Sequence, residues 1–303
     1  MSTEQELNLQ FGIDGHLGFR KDAGGLIVAE INNLQATASL CLQGAHLLAW
    51  QPRSQAEPVV WLSRDARLAA GKSIRGGVPV CWPWFGAHAS EPGFPAHGFA
   101  RTAPWQIVAS GIEPNGATCL TLRLLEDGKT RAQWPYSSTL ELTVIAGEKL
   151  RMELSTENTG ESAFVISEAL HTYFKISDIG AVHITGLAGC AYWDKVGISA
   201  LKKQDSIIRF AGETDRVYIN TADACVIEDG KLKRRIHIAK CGSLSTVVWT
   251  PWTAKADRMG DLGQPDGWRG MVCVESANTL DNAFKVAAGA KHILSVEYRV
   301  EIL

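Results

Sequence analysis

The sequence holds little that would tie it to nucleic acid, to a membrane or to a metal. Lys and Arg number 30 against 32 Asp and Glu, a formal net charge of −2. Grip on a phosphate backbone calls for a basic surplus or stripe. The short run Lys231, Lys233, Arg234 and Arg235 reads instead as the solvated face and edge of a strand. No apolar run approaches the roughly 20 residues of a membrane-spanning helix. Residues 1–10 are polar and acidic, without the apolar core of a signal peptide, so a soluble, cytoplasmic protein is expected. The seven cysteines are odd in number, widely spaced and free of any C-x-x-C pair. That disfavours a disulfide framework and a zinc knuckle, and most of the thiols are expected buried and reduced in apolar strands. The eight histidines form neither H-x-H nor H-E-x-x-H, so no dedicated metal site is expected. Long amphipathic helices are missing too, which disfavours parallel α/β folds. There is no fixed-period repeat, low-complexity tract or linker.

What the sequence does have is the rhythm of strands. Hydrophobic residues make up 46% and charged residues 20%, enough apolar surface for a sizeable core. Segments 26–31, 36–42, 118–125, 138–145 and 150–156 are short and tend to alternate apolar with polar. Segments 182–185, 207–210, 234–238, 245–249, 271–275 and 293–302 continue the series. Turn signals such as Asn32-Asn33, Asp127-Gly128, Asn158-Thr159-Gly160 and Asp229-Gly230 separate them. The pattern predicts an all-β fold, one large antiparallel β-sandwich with few short helices, as a single domain over residues 1–303. Two stretches, 69–104 and 251–269, read as long irregular loops rich in Trp, Pro, Gly and Arg. Such loops in a compact β domain usually carry function.

Five segments hold candidate chemistry. Arg75 stands beside Gly76-Gly77, where a guanidinium fork could meet a phosphate or carboxylate. Read alone, the segment suits a tight loop whose Arg75 pairs with a nearby acid somewhat better. His97 and Arg101 flank Gly98 after an aromatic run, and a structural loop is the slightly stronger reading. In 168–174, period two puts Ala169, His171 and Tyr173 on one strand face. Imidazole titrates near neutrality and can act as acid or base, though a satisfied core histidine is the plainer reading. Period two also puts Glu275 on the face of Met271 and Cys273, where a carboxylate is costly unless paired, protonated or functional. Asp215 alone reads as a solvated turn acid.

At these residues the sequence resembles the hexose-6-phosphate mutarotases (glucose-6-phosphate 1-epimerases), a branch of the aldose 1-epimerase or galactose-mutarotase-like superfamily. The likeness covers nearly the whole chain in family order. It is anchored on the loop 73–79, on His97-Gly98-Phe99-Ala100-Arg101, on the His171 segment, on the Asp215 turn, on Val248-Trp249-Thr250-Pro251-Trp252 and on 271–275. Each motif is moderately specific; six in order are specific together. The resemblance implies the galactose-mutarotase-like supersandwich, with His171 as general acid and Glu275 as general base. It implies that Arg75 and Arg101 bind substrate near its phosphate, and that His97 and Asp215 also bind substrate. Two positions depart from the pattern. Ala96 stands where many members carry glutamine, which leaves the preferred hexose open, and Thr250 stands where an asparagine is common.

The implied reaction opens a pyranose ring, rotates the C1–C2 bond and closes the ring on the other face. An acid and a base on two oxygens suffice, so no cofactor or metal is called for. The expected partner is a small hexose phosphate and the expected state a monomer. Two other readings stand beside this one: a mutarotase for unphosphorylated aldoses, and a non-catalytic carbohydrate or sugar-phosphate-binding sandwich. A glycoside hydrolase using Glu275 and Asp215 fits less well, because it leaves His171 without a role.

Overall fold

The computed structural model describes residues 3–303. Among these residues, strands build two sheets of eight, a sheet of four and a two-stranded ribbon. Pairing across the large sheets is antiparallel. This is the predicted all-β sandwich with few short helices.

One large sheet supplies the backing. Its central strands Ser138–Ala146 and Leu150–Asn158 bury alternate residues, among them Leu140, Leu142, Val144, Met152 and Leu154. Period two sends those side chains to one face and Glu141, Thr143, Glu153 and Ser155 to the other, so a one-residue slip would turn the core outward. Each such buried side chain contributes roughly 1.5–3 kcal/mol of transfer free energy.

The second large sheet carries the site. Its order is Ala200–Lys203, Ala191–Asp194, Thr214–Tyr218, Ser245–Thr250, Met271–Asn278, Glu168–Leu170 and Val80–Cys81, with Tyr173–Lys175 also paired to Met271–Asn278. Met271–Asn278 is buried at every position. It lies mid-sheet with both faces covered, which explains why its sequence does not alternate cleanly. The two large sheets meet where the Thr172 and Tyr298 hydroxyls lie 2.6 Å apart and the Phe174 ring packs edge-on against Tyr298.

The structure corrects two details and adds a third. Segment 207–210 is not a strand; it makes a single bridge, Ile208 to Ile184. Stretch 251–269 is not wholly irregular, because Trp252–Met259 forms an α-helix ended by Gly260 in the left-handed conformation, φ +69°. The polar N-terminus forms the helix Glu4–Phe11, started by a capping box between Thr3 and Glu6. Stretch 69–104 does stay irregular apart from Val80–Cys81. The seven cysteines are unpaired; Cys41, Cys81, Cys225 and Cys273 are buried, Cys119 and Cys190 half-buried and Cys241 exposed. Among the described residues, no helix is long and apolar enough to cross a membrane.

Candidate active site

Register builds the floor of the site. Asp215 pairs with Trp249, Trp249 with Cys273, and Cys273 with Tyr173. Two residues along, Val217 pairs with Val247 and Val247 with Glu275. The strand opposite Glu275 breaks at His171 and Thr172, yet Leu170 pairs with Ser276 and Tyr173 with Cys273. One register spans the break and sets His171 across from Glu275. Two cross-strand rows on one sheet face therefore collect Asp215, Trp249, Cys273, Tyr173, Glu275 and His171. The alternation expected of 168–174 holds through the break: His171 stacks on Tyr173 at 5.0 Å, while Thr172 and Phe174 face Tyr298.

His171 Nε2 lies 3.3 Å from Glu275 Oε1, with the two side chains 11% and 1% exposed. His171 Nδ1 and Glu275 Oε2 are buried without a hydrogen-bond partner. Burial, then His97 and Arg101, hold the imidazole well below its usual range. Burial and the nearby Asp215 push the Glu275 carboxyl well above its own. Burial thus works against the charged form of both groups and favours a neutral imidazole beside a neutral carboxyl.

Loops close the walls. The paired glycines are required by geometry. Gly76 sits at φ +99°, and a Cβ there would meet the Trp61 carbonyl oxygen at 2.7 Å. Gly77 sits at φ +68°, and a Cβ there would meet the Leu47 carbonyl oxygen at 2.3 Å and His46 Nε2 at 2.5 Å. Below this turn, fully buried His46 donates from Nε2 to the Gly76 carbonyl at 2.8 Å. The turn presents Arg75, whose Nη1 donates to the Tyr173 hydroxyl at 3.0 Å and whose Nε lies 3.1 Å from Asp261 Oδ2. Burial opposes the Arg75 charge, but Tyr173 and Asp261 together hold it protonated. The pairing of Arg75 with a nearby acid is observed, and the residue also lines the pocket.

His97 adopts the left-handed conformation, φ +64°, which a non-glycine residue keeps only where its surroundings hold it. Its ring packs edge-on against Phe85 and lies 5.8 Å from that of His171. Burial and the guanidinium groups of Arg101 and Arg75 push its imidazole down to about 4. Arg101 Nη2 donates to the Ala96 carbonyl at 2.6 Å. Among the described residues, Arg101 forms no ion pair. Asp215 is no solvated turn acid: it sits half-buried within Thr214–Tyr218, its carboxyl raised by burial and drawn back by Lys255.

All six predicted site residues line one cavity of about 650 Å³. That lies within the common range for small-molecule sites, about 300–1,000 Å³. The sequence reading missed Lys195 and Lys255, which also line it. Lys255 sits on the helix Trp252–Met259, 2.8 Å from Glu213 Oε1 and 5.9 Å from the Trp249 ring centroid. Lys195 is held at the floor where its backbone N–H donates to the Asp215 carbonyl at 2.8 Å. Asp261, which fixes Arg75, was also missed. No spacing rule connects these residues; the Trp249-Thr250-Pro251-Trp252 anchor just before the helix was the nearest signal.

The antiparallel sandwich has a galactose-mutarotase-like fold. A galactose mutarotase-like protein from Lactobacillus casei superposes with a TM-score of 0.72 over 90% of this chain and 100% of that one, at 14% identity. A crystal structure described as a putative mutarotase from Salmonella typhimurium superposes with a TM-score of 0.89, at 34% identity, over 97% of this chain and 96% of that one. An Escherichia coli K12 protein named "Putative glucose-6-phosphate 1-epimerase" is 40% identical over 259 residues, 85% of each chain. The family model for aldose 1-epimerase matches residues 28–299, and the chain belongs to that family of enzymes.

Proposed function

We propose that this protein interconverts the α and β anomers of an aldohexose 6-phosphate, with glucose 6-phosphate the first substrate to test. The observation that carries the reading is the His171–Glu275 pair, 3.3 Å apart and nearly dry, on the floor of a cleft that Arg75, Arg101, Lys195 and Lys255 also line. Membership of the aldose 1-epimerase family supports the chemistry. The name of the Escherichia coli relative supports the phosphorylated substrate.

Ring opening needs one proton taken from the anomeric hydroxyl and one given to the ring oxygen. Glu275 takes the first, His171 gives the second, and closure after C1–C2 rotation reverses both transfers. The working form is therefore carboxylate and imidazolium, whereas burial favours the neutral forms. A bound sugar reconciles the two. Its anomeric hydroxyl donates to Glu275 and its ring oxygen accepts from His171, so the substrate solvates the ion pair that burial alone disfavours. Each group supplies on the order of 10²- to 10⁴-fold in rate. Arg101, whose guanidinium meets only a carbonyl, is the cation most ready for a phosphate dianion; Arg75, braced by Asp261 and Tyr173, adds a fixed second charge.

Saturation-transfer NMR of glucose 6-phosphate and of free glucose tests both halves. The reading expects anomer exchange of the phosphate ester well above the uncatalysed rate, and a weaker effect on the free sugar. Exchange at the uncatalysed rate with folded protein would refute catalysis. Free glucose as the better substrate, with Arg101→Ala harmless, would instead make this a mutarotase for unphosphorylated aldoses.

A further inference from the structure

The rows that bring His171 to Glu275 also bring a third donor. Cys273 lies on the same strand face as Glu275, two residues away, and is fully buried beneath the cleft. The ligand atoms of His171, Cys273 and Glu275 all lie within 4.8 Å of one another. One nitrogen, one sulfur and one carboxylate oxygen form the mixed donor set of a zinc site that keeps a fourth position open. Bond lengths of about 2.0–2.3 Å put the donors of a tetrahedral zinc roughly 3.3–3.6 Å apart. The nitrogen–oxygen edge already matches at 3.3 Å. Closing the remaining gap to Cys273 Sγ, at most 4.8 Å from either donor, takes a shift of about 1 Å, within reach of small side-chain rotations.

A second feature points to an incoming ligand. Glu275 lines the cavity, is 1% exposed, and leaves Oε2 without a partner. A buried oxygen without a partner, on a carboxyl that lines a cleft, lacks compensation for its burial, and a cation would supply it. The cavity opens over His171 and Glu275, so an ion can reach them from solvent and then draw in the thiol below, with water as fourth ligand.

We infer that His171, Cys273 and Glu275 form an inhibitory site for a thiophilic divalent cation, zinc in the first instance. Coordination takes the imidazole lone pair, and the thiol and carboxyl protons pass to solvent. The occupied pair can then neither give nor take the protons of ring opening. The ion and the sugar contest the same atoms, so inhibition is competitive with substrate. A hard cation such as Mg²⁺, which prefers an all-oxygen octahedron, does not compete. His171 lies in a strand break about a hundred positions before Cys273 and Glu275, which is why no histidine or cysteine spacing in the sequence betrays the three.

This inference rests on the proposed acid–base pair only for its inhibitory consequence, and the test separates the two. Co²⁺ is titrated into the full-length protein without substrate, and absorption is followed in the near ultraviolet. A thiolate-to-cobalt charge-transfer band is expected in the wild type and lost in Cys273→Ser. Glu275→Gln, which keeps the thiol and the side-chain shape, should bind Co²⁺ at least tenfold more weakly. In parallel, Zn²⁺ should raise the apparent KM for anomer exchange without changing kcat, and Cys273→Ser should be at least tenfold less sensitive. Absence of the band, a band that survives in Cys273→Ser through another of the free thiols, or equal zinc sensitivity in both proteins would overturn the site. A band in a protein that fails to accelerate anomer exchange would leave the metal site standing and remove the proposed reaction.

Discussion

Among the described residues, two histidine–glutamate pairs are buried on neighbouring elements, and the tighter one is not at the cleft. His292 Nε2 lies 2.8 Å from Glu168 Oε1, against 3.3 Å for His171 and Glu275. Glu168 also accepts from Asn278 Nδ2 at 3.0 Å, and Asn278 is tied by a further bond to the Gly242 carbonyl. Phe284 stacks flat on the His292 ring at 3.8 Å and closes that pair off. Each pair leaves one carboxylate oxygen without a partner. What separates them is what lies over each pair: the Phe284 ring covers His292, whereas His171 and Glu275 both line an open cleft. A short distance between a base and an acid marks an interaction; the cavity beyond it marks a site.

The largest expected effect breaks the comparison directly. Glu275→Gln and His171→Ala should each lower the catalysed exchange rate by about 10²- to 10⁴-fold. Thermal stability of Glu275→Gln should hold or rise, because the amide keeps the side-chain shape and removes a carboxyl that burial disfavours. Glu168→Ala should do the reverse. It leaves His292 and Asn278 facing a buried void and should cost about 3–5 kcal/mol in urea denaturation, with kcat nearly kept. A Glu168→Ala protein of unchanged stability would erase the distinction.

A third histidine sharpens the comparison, because it is buried with no acid at all. Burial, opposed by the bond to Gly76, lowers His46 from the usual 6.5 to about 4. The sign follows from linkage. The unfolded chain takes up a proton as pH falls through 6.5, while the folded protein resists until about 4, so stability is full above the first value and lost on the way to the second. The loss is on the order of 3 kcal/mol, and His46→Gln should flatten that part of a melting-temperature profile. A profile equally steep in the variant would contradict the assignment. A smaller effect belongs to the turn above it. Gly77→Ala places a Cβ against the Leu47 carbonyl at φ +68° and should cost about 1–3 kcal/mol, measurable by denaturant midpoint. Arg101→Ala is expected to leave stability nearly unchanged and to remove the proposed contact to the phosphate, a charge-assisted bond worth about 1.5–3 kcal/mol. It should raise KM for the phosphate ester roughly 10- to 100-fold, with little effect on free glucose.

How much of this was legible in the sequence follows from where each residue lies. Strand periodicity placed His171 beside Tyr173 and Glu275 beside Cys273, and those faces are the observed ones. Periodicity cannot say which strands pair, so it could not set His171 opposite Glu275; the family resemblance implied their roles but left their separation open. It also could not rank Glu168 below Glu275, since both are acids in apolar strands and differ only in what other segments bring against them. The helix Trp252–Met259 escaped notice because eight residues give barely two turns and no side chain caps its start. With it went Lys255 and, just beyond, Asp261, whose hold on Arg75 depends on a contact between stretches far apart in sequence. The paired glycines were the exception among the loops: their positive φ values bear out the tight turn read from two letters.

The most direct test of the account compares Glu275→Gln with Glu168→Gln in one anomer-exchange experiment on glucose 6-phosphate, with folding of both checked by circular dichroism. The account predicts exchange near the uncatalysed rate for Glu275→Gln and near the wild-type rate for Glu168→Gln. Equal activity in the two variants, or loss confined to Glu168→Gln, would contradict it.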